Sequence, residues 1–83
     1  MLNILNIAHL NKNQSAIVKA MNLPAYQNCK LLSFGLIEGA LITVKYITRK
    51  KESIALRIGN NNTLISLSKD LANLIMVDAL NPH

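Results

Sequence analysis

A mainly β fold, a small barrel of about five short strands with one helix inserted after the first, is what the sequence predicts. Three observations point to it. Apolar residues alternate with polar ones in "ALITVKYIT", "SIALRIG" and "TLISLS". Glycine and asparagine punctuate the gaps between these runs. One segment, "NLPAYQNCKLLSFG", carries helical spacing instead. At 83 residues a single domain, 1–83 with its core over 7–78, is expected. A chain this short buries only about 60 to 65% of its unfolded surface, so the core must be economical.

The elements follow in order. Ile7 and Leu10, three apart in "NIAHLNKNQS", predict one helical turn. Asn11, Asn13 and Ser15 then mark a turn, since Asn tolerates the left-handed region. "SAIVKAM", 15–21, reads as a strand whose buried face the pattern leaves open. In the helix that follows, Pro24 suits the first turn and Asn22 is a candidate cap. Ala25, Cys29 and Leu32 recur at helical spacing and are expected to face the core, with Leu36 beyond the end. Gly35 stands where a left-handed residue closes a helix, and Gly39 where the chain turns into a strand.

After Gly39 the period is two. Ile42, Val44 and Tyr46 are expected inside, with Thr43 and Lys45 outside. "TRKKES" is a polar break. Ile54, Leu56 and Ile58 face inward next, with Arg57 outward. "GNNN", Gly59 to Asn62, is a hairpin turn, because Gly and Asn accept the positive φ it demands. Ile65 and Leu67 return to the core. Ser68 caps a one-turn helix, "KDLANL", with Asp70 in its first turn. "IMVDA" is the last strand, Ile75 and Val77 inward, and "LNPH" is a tail.

Composition narrows the function classes. The net charge of +5 comes from nine Lys and Arg against Glu38, Glu52, Asp70 and Asp78. It favours acidic partners, although no cluster exceeds Arg49, Lys50 and Lys51. The single Cys29 permits no internal disulfide, fits a reducing cytosol, and reads as a buried structural thiol. "MLNILNIAHLNK" lacks the basic start and cleavage site of a signal peptide, and no run reaches transmembrane length. A cytoplasmic protein that meets a membrane only from the side is expected.

Catalytic chemistry has little to work with. His9 and His83 are far apart, and neither pairs with Cys29 at a metal-ligand spacing. The four carboxylates are dispersed, so no pair is set for acid–base work. G-x-x-x-G at Gly35 and Gly39 lacks the Lys-Ser/Thr ending of a phosphate loop. An enzyme is not expected, nor a cofactor or a dedicated metal site. Nucleic-acid binding is the runner-up, with Lys19, Lys45, Arg49, Lys50, Lys51 and Arg57 available. It needs exposed aromatic platforms, and Tyr46 on the core face does not supply one. No nucleic acid is therefore expected as the main partner.

"KLLSFGLIEGALITV" resembles the helix-to-strand corner of the ferrous iron transport protein A (FeoA) family, whose members look like R-L-L-x-L-G-L-x-P-G-x-x-V-x-V. "IAHLNKNQSAIV" is similar to the family's opening turn and first strand, and "SIALRIGNNNTLISLSKDLANLIMV" to its last hairpin, short helix and final strand. The resemblance covers roughly Ile7 to Asp78. Glu38 stands where the family usually has Pro, and Asn13 where Gly is usual. The "TRKKES" loop is about one residue short and lacks the family's common Pro. These departures bear on loop contacts rather than on the fold.

The resemblance implies an SH3-like barrel and a small cytosolic accessory role in bacterial ferrous iron uptake. The implied partner is the membrane permease with a GTPase domain, ferrous iron transport protein B, met from its cytosolic side. The implied site is an interface. Leu31, Phe34, Leu36 and Ile37 at the corner are one candidate contact, because one helix face cannot bury them all. Arg49, Lys50 and Lys51 are the other. Gly35, Gly39 and Gly59 are structural turns. Weak self-association through short barrel edges is a third reading.

Overall fold

The computed structural model describes residues 4–59 and 63–80. Strands β1 (Ile4–Asn6), β2 (Ser15–Met21), β3 (Leu41–Ile47), β4 (Ser53–Ile58), β5 (Leu64–Ser68) and β6 (Ile75–Ala79) form one antiparallel sheet. Helix α1 (Ala25–Leu32) connects β2 to β3, and α2 (Lys69–Ala72) connects β5 to β6. A 3-10 turn, Ile7–His9, follows β1. The spatial order is β1-β6-β2-β3-β4-β5.

The mainly β, SH3-like architecture is the one expected, with two differences. A sixth strand, β1, pairs with β6, Leu5 opposite Val77. Three residues are too few for alternation to reveal a strand. The sheet also stays open, since β1 and β5 do not pair with each other among the described residues. It still wraps one core. Ala16, Val18, Ile42, Val44, Ile54, Leu56, Ile58, Leu67, Ile75 and Val77 from the strands cluster with Ile7 from the 3-10 turn, Leu10 just after it, and Ala72 from α2. Strands at both ends of the sheet can share one cluster only if the sheet curls around it.

Local chemistry explains most element boundaries. Asn13 adopts φ 68°, as its turn requires. Ser68 caps α2, its Oγ accepting from the Leu71 N–H at 3.3 Å. The β3–β4 hairpin closes with the Lys51 N–H donating to the Thr48 carbonyl at 2.8 Å, and the Thr48 Oγ1 accepts from the Ser53 N–H at 3.0 Å. Lys51 pays for that closure with φ 57°, a left-handed residue without the freedom of glycine. In the next hairpin Gly59 has φ 64°, while Asn60, Asn61 and Asn62 lie outside the described residues, as do Met1 to Asn3 and Asn81 to His83 of the expected tail, whose first residue, Leu80, donates its N–H to the Ser15 carbonyl at 3.0 Å.

Three expectations about side-chain direction need correction. In β3 the register slips between Val44 and Tyr46, so that Lys45 and Tyr46 together oppose Ala55. The bulge puts Ile47 on the inner side, opposite Ile54, and turns Tyr46 out to 64% exposure. Thr43, expected outside, is buried, and its Oγ1 is 2.8 Å from the Ser15 Oγ. In α1, Ala25, Cys29 and Leu32 are exposed, and Leu31 is the residue that enters the core. Gln27 and Asn28 flank Leu31 on the half-buried face. The helix is also shorter at its start. Pro24 is the extended N-cap, its carbonyl accepting from Gln27 and Asn28, and the Asn22 N–H instead donates to the Leu74 carbonyl.

Candidate functional site

The helix-to-strand corner is held by backbone. Past α1, the Gly35 N–H donates to the Leu32 carbonyl at 2.9 Å and the Leu36 N–H to the Leu31 carbonyl at 3.1 Å. With Gly35 at φ 90°, these are the paired bonds of a Schellman cap. Its characteristic apolar pair is present, because Leu31 and Leu36 both belong to the core cluster. Gly39, at φ 88°, then turns the chain onto β2. Its N–H donates to the Val18 carbonyl at 2.8 Å, and the Val18 N–H donates to the Ala40 carbonyl at 2.9 Å. The two glycines thus have backbone roles, stopping the helix and starting the strand.

Fixing the corner this way sorts its apolar residues. Leu36 is fully buried and Leu31 is 6% exposed, so neither can form a direct contact with a partner. Of the four candidate contact residues, Phe34 and Ile37 are the two that stay in solvent, at 45% and 42% exposure. Leu32, placed in the core by its spacing, joins them at 57%. Cys29 is exposed rather than a buried structural thiol. Met21, Asn28, Cys29, Leu32, Ile37 and Glu38 surround a shallow apolar depression of about 220 Å³ beside the corner. On the other side of α1, Tyr26, Phe34 and Leu64 rim a larger groove of about 370 Å³ against β5.

The second candidate lies across the sheet. Arg49, Lys50 and Lys51 are exposed at the tip of the β3–β4 hairpin. The bulge adds Tyr46, with the Lys12 ammonium 5.6 Å from its ring centre. Sequence alternation missed Tyr46. The available signal was Ile47, an apolar residue directly after Tyr46 that the core could claim only if the register slipped. Lys45 and Arg57 are half-buried on the same hairpin. The structure does not bring this basic hairpin tip and the apolar corner together in one cleft.

Among the described residues, no group of three or more His, Cys, Asp and Glu could hold a metal ion. Glu52 and Asp70 border a small cleft with Ser68 and Lys69, Glu38 sits in the corner turn, and Asp78 is on β6. No helix among the described residues is long and apolar enough to cross a membrane.

The comparisons agree with this geometry. No curated protein matches the chain. Among solved structures, the FeoA protein from Chlorobium tepidum is 20% identical with a TM-score of 0.85, over 95% of this chain and 73% of that one. A FeoA described as an iron uptake regulatory protein is 25% identical, with a TM-score of 0.79, over 95% of this chain and all of that one. A manganese-dependent transcriptional repressor shares the fold at 14% identity, with a TM-score of 0.82, over 96% of this chain and 44% of that one. The FeoA domain model matches residues 5–79, so nearly every strand of the sheet falls within it, and the chain belongs to the FeoA-domain family.

Proposed function

We propose that this chain is an accessory protein of bacterial ferrous iron uptake that docks on the cytosolic part of the membrane Fe²⁺ permease. Membership of the FeoA-domain family, which is associated with ferrous iron transport, supports the iron role. The observation that carries the docking role is the exposed apolar corner. Leu32, Phe34 and Ile37 stay in solvent while Leu31 and Leu36, their neighbours in the same turn, anchor that turn to the core. A rigid turn presenting large apolar side chains loses little entropy on binding, which is what a small contact needs. A domain of this size offers on the order of 800 Å² or less to a partner.

Docking places the chain in the cytoplasm at the inner face of the membrane. It acts there by contact. Iron passes through the permease, and this chain needs no ligand set of its own. The test is retention on membranes with and without the permease, using the wild type and Phe34→Ser/Ile37→Ser. The permease raises retention of the wild type, and the double variant loses that gain although it stays folded. Equal retention without the permease sinks the reading.

A further inference from the structure

We propose that the outer face and tip of the β3–β4 hairpin form a docking surface for an anionic lipid bilayer. This goes beyond the permease contact: the cations sit on the β3–β4 hairpin and its tip, whereas Leu32 and Ile37 of the corner border the depression beside α1.

The charge of the chain is concentrated here. Of nine Lys and Arg, the hairpin carries Lys45, Arg49, Lys50, Lys51 and Arg57, with Glu52 as its one carboxylate. Lys12 reaches the same place through the loop before β2. The Asn13 N–H donates to the Val44 carbonyl at 2.7 Å, which holds that loop against β3 and sets the Lys12 ammonium over Tyr46. Glu52 shares its cleft with Lys69 and Asp70 at the α2 end. The remaining carboxylates, Glu38 and Asp78, belong to the corner and to β6.

Register places the aromatic among these cations. Because of the bulge, Lys45 and Tyr46 both oppose Ala55, and Arg57 lies two residues along the same outer face. Ser53 and Ser66, whose hydroxyl oxygens are 2.8 Å apart, continue that face with small side chains. The result is a floor of small side chains with the exposed Leu64 opposite Arg57, one exposed tyrosine with an amphipathic ring, and cations at the edge and tip. Tyrosine favours the headgroup layer of a bilayer, and clustered Lys and Arg favour anionic headgroups.

A single-stranded nucleic acid would use the same charge, and the geometry suits it less. Base stacking along a strand needs successive open ring faces, and the Lys12 ammonium stands over one face of Tyr46. The other exposed aromatics, Tyr26 and Phe34, border the groove between α1 and β5, so β4 and β5 stand between them and Tyr46.

The test is co-sedimentation of the whole chain with phosphatidylcholine vesicles, with and without about one third phosphatidylglycerol. Each cation at an anionic surface strengthens partitioning about fivefold, so the exposed Lys12, Arg49, Lys50 and Lys51 together should favour anionic vesicles by on the order of several hundredfold at low salt. Raising salt from about 50 to 500 mM should abolish most of that preference. Arg49→Glu/Lys50→Glu, at two exposed tip positions, should bind at least about 25-fold more weakly with unchanged thermal melting. Equal binding to both vesicle types, no binding to anionic vesicles, or a reversal variant that binds like the wild type would each overturn the proposal. So would tighter binding to a single-stranded oligoribonucleotide than to the anionic vesicles. Both vesicle experiments omit the permease, so their outcome is independent of the corner contact.

Discussion

Replacing Gly35 by alanine isolates the backbone contribution of the corner. Gly35 sits at φ 90°, where a side chain strains the backbone, yet a Cβ there would meet only the Ile58 Cγ2 at 3.6 Å, an ordinary contact. The loss should therefore be conformational, about 1–2 kcal/mol. In a domain of this size each kcal/mol moves Tm by about 4–8 °C, so Gly35→Ala should melt about 5–15 °C below the wild type. Gly39, at φ 88° with nothing within 4 Å of its Cβ position, should cost a similar amount when changed to alanine. Gly35→Asn should lose less, because asparagine adopts the left-handed region more readily. Thermal unfolding by circular dichroism, with urea titration for the free energies, measures all three. The reasoning is refuted if Gly35→Ala melts with the wild type, or if asparagine costs as much as alanine.

Three other outcomes follow from the packing. Leu36→Ala should lose about 2–5 kcal/mol in urea unfolding, as expected for a fully buried leucine; a loss under about 1 kcal/mol would mean that Leu36 is not in the core. A double-mutant cycle of Ser15→Ala and Thr43→Val should return a coupling of about 1 kcal/mol for their 2.8 Å contact, and a coupling of zero would deny that hydrogen bond. Cys29 should react with a thiol reagent in native buffer as completely as in denaturant, whereas protection in the native state would return it to the interior.

Much of the sheet was legible because period two is a direct consequence of strand geometry. Ile54, Leu56 and Ile58 in β4, and Ile75 and Val77 in β6, point inward as their alternation requires. Asn13, Gly35, Gly39 and Ser68 were legible through backbone chemistry, three of them by positive φ at a glycine or asparagine and the last by its cap. Failures came where tertiary packing chose between local options. The core took Ile47 rather than Tyr46, at the expense of one bulge, and alternation cannot show a slipped register. Helix α1 rests on the sheet through Leu31, so a stripe of Ala25, Cys29 and Leu32 had no face to meet. The glycines located the corner in the sequence, while its exposed members could be separated from its anchors only by burial.

The corner contact is the claim on which the functional account rests, and permease-dependent retention measures it most directly. Membranes with and without the Fe²⁺ permease would be washed, and the bound chain quantified for the wild type, Phe34→Ser/Ile37→Ser and Arg49→Glu/Lys50→Glu. The account predicts that adding the permease raises retention of the wild type and of the tip variant, and leaves the corner variant unchanged. A corner variant that gains as much from the permease as the wild type would contradict it.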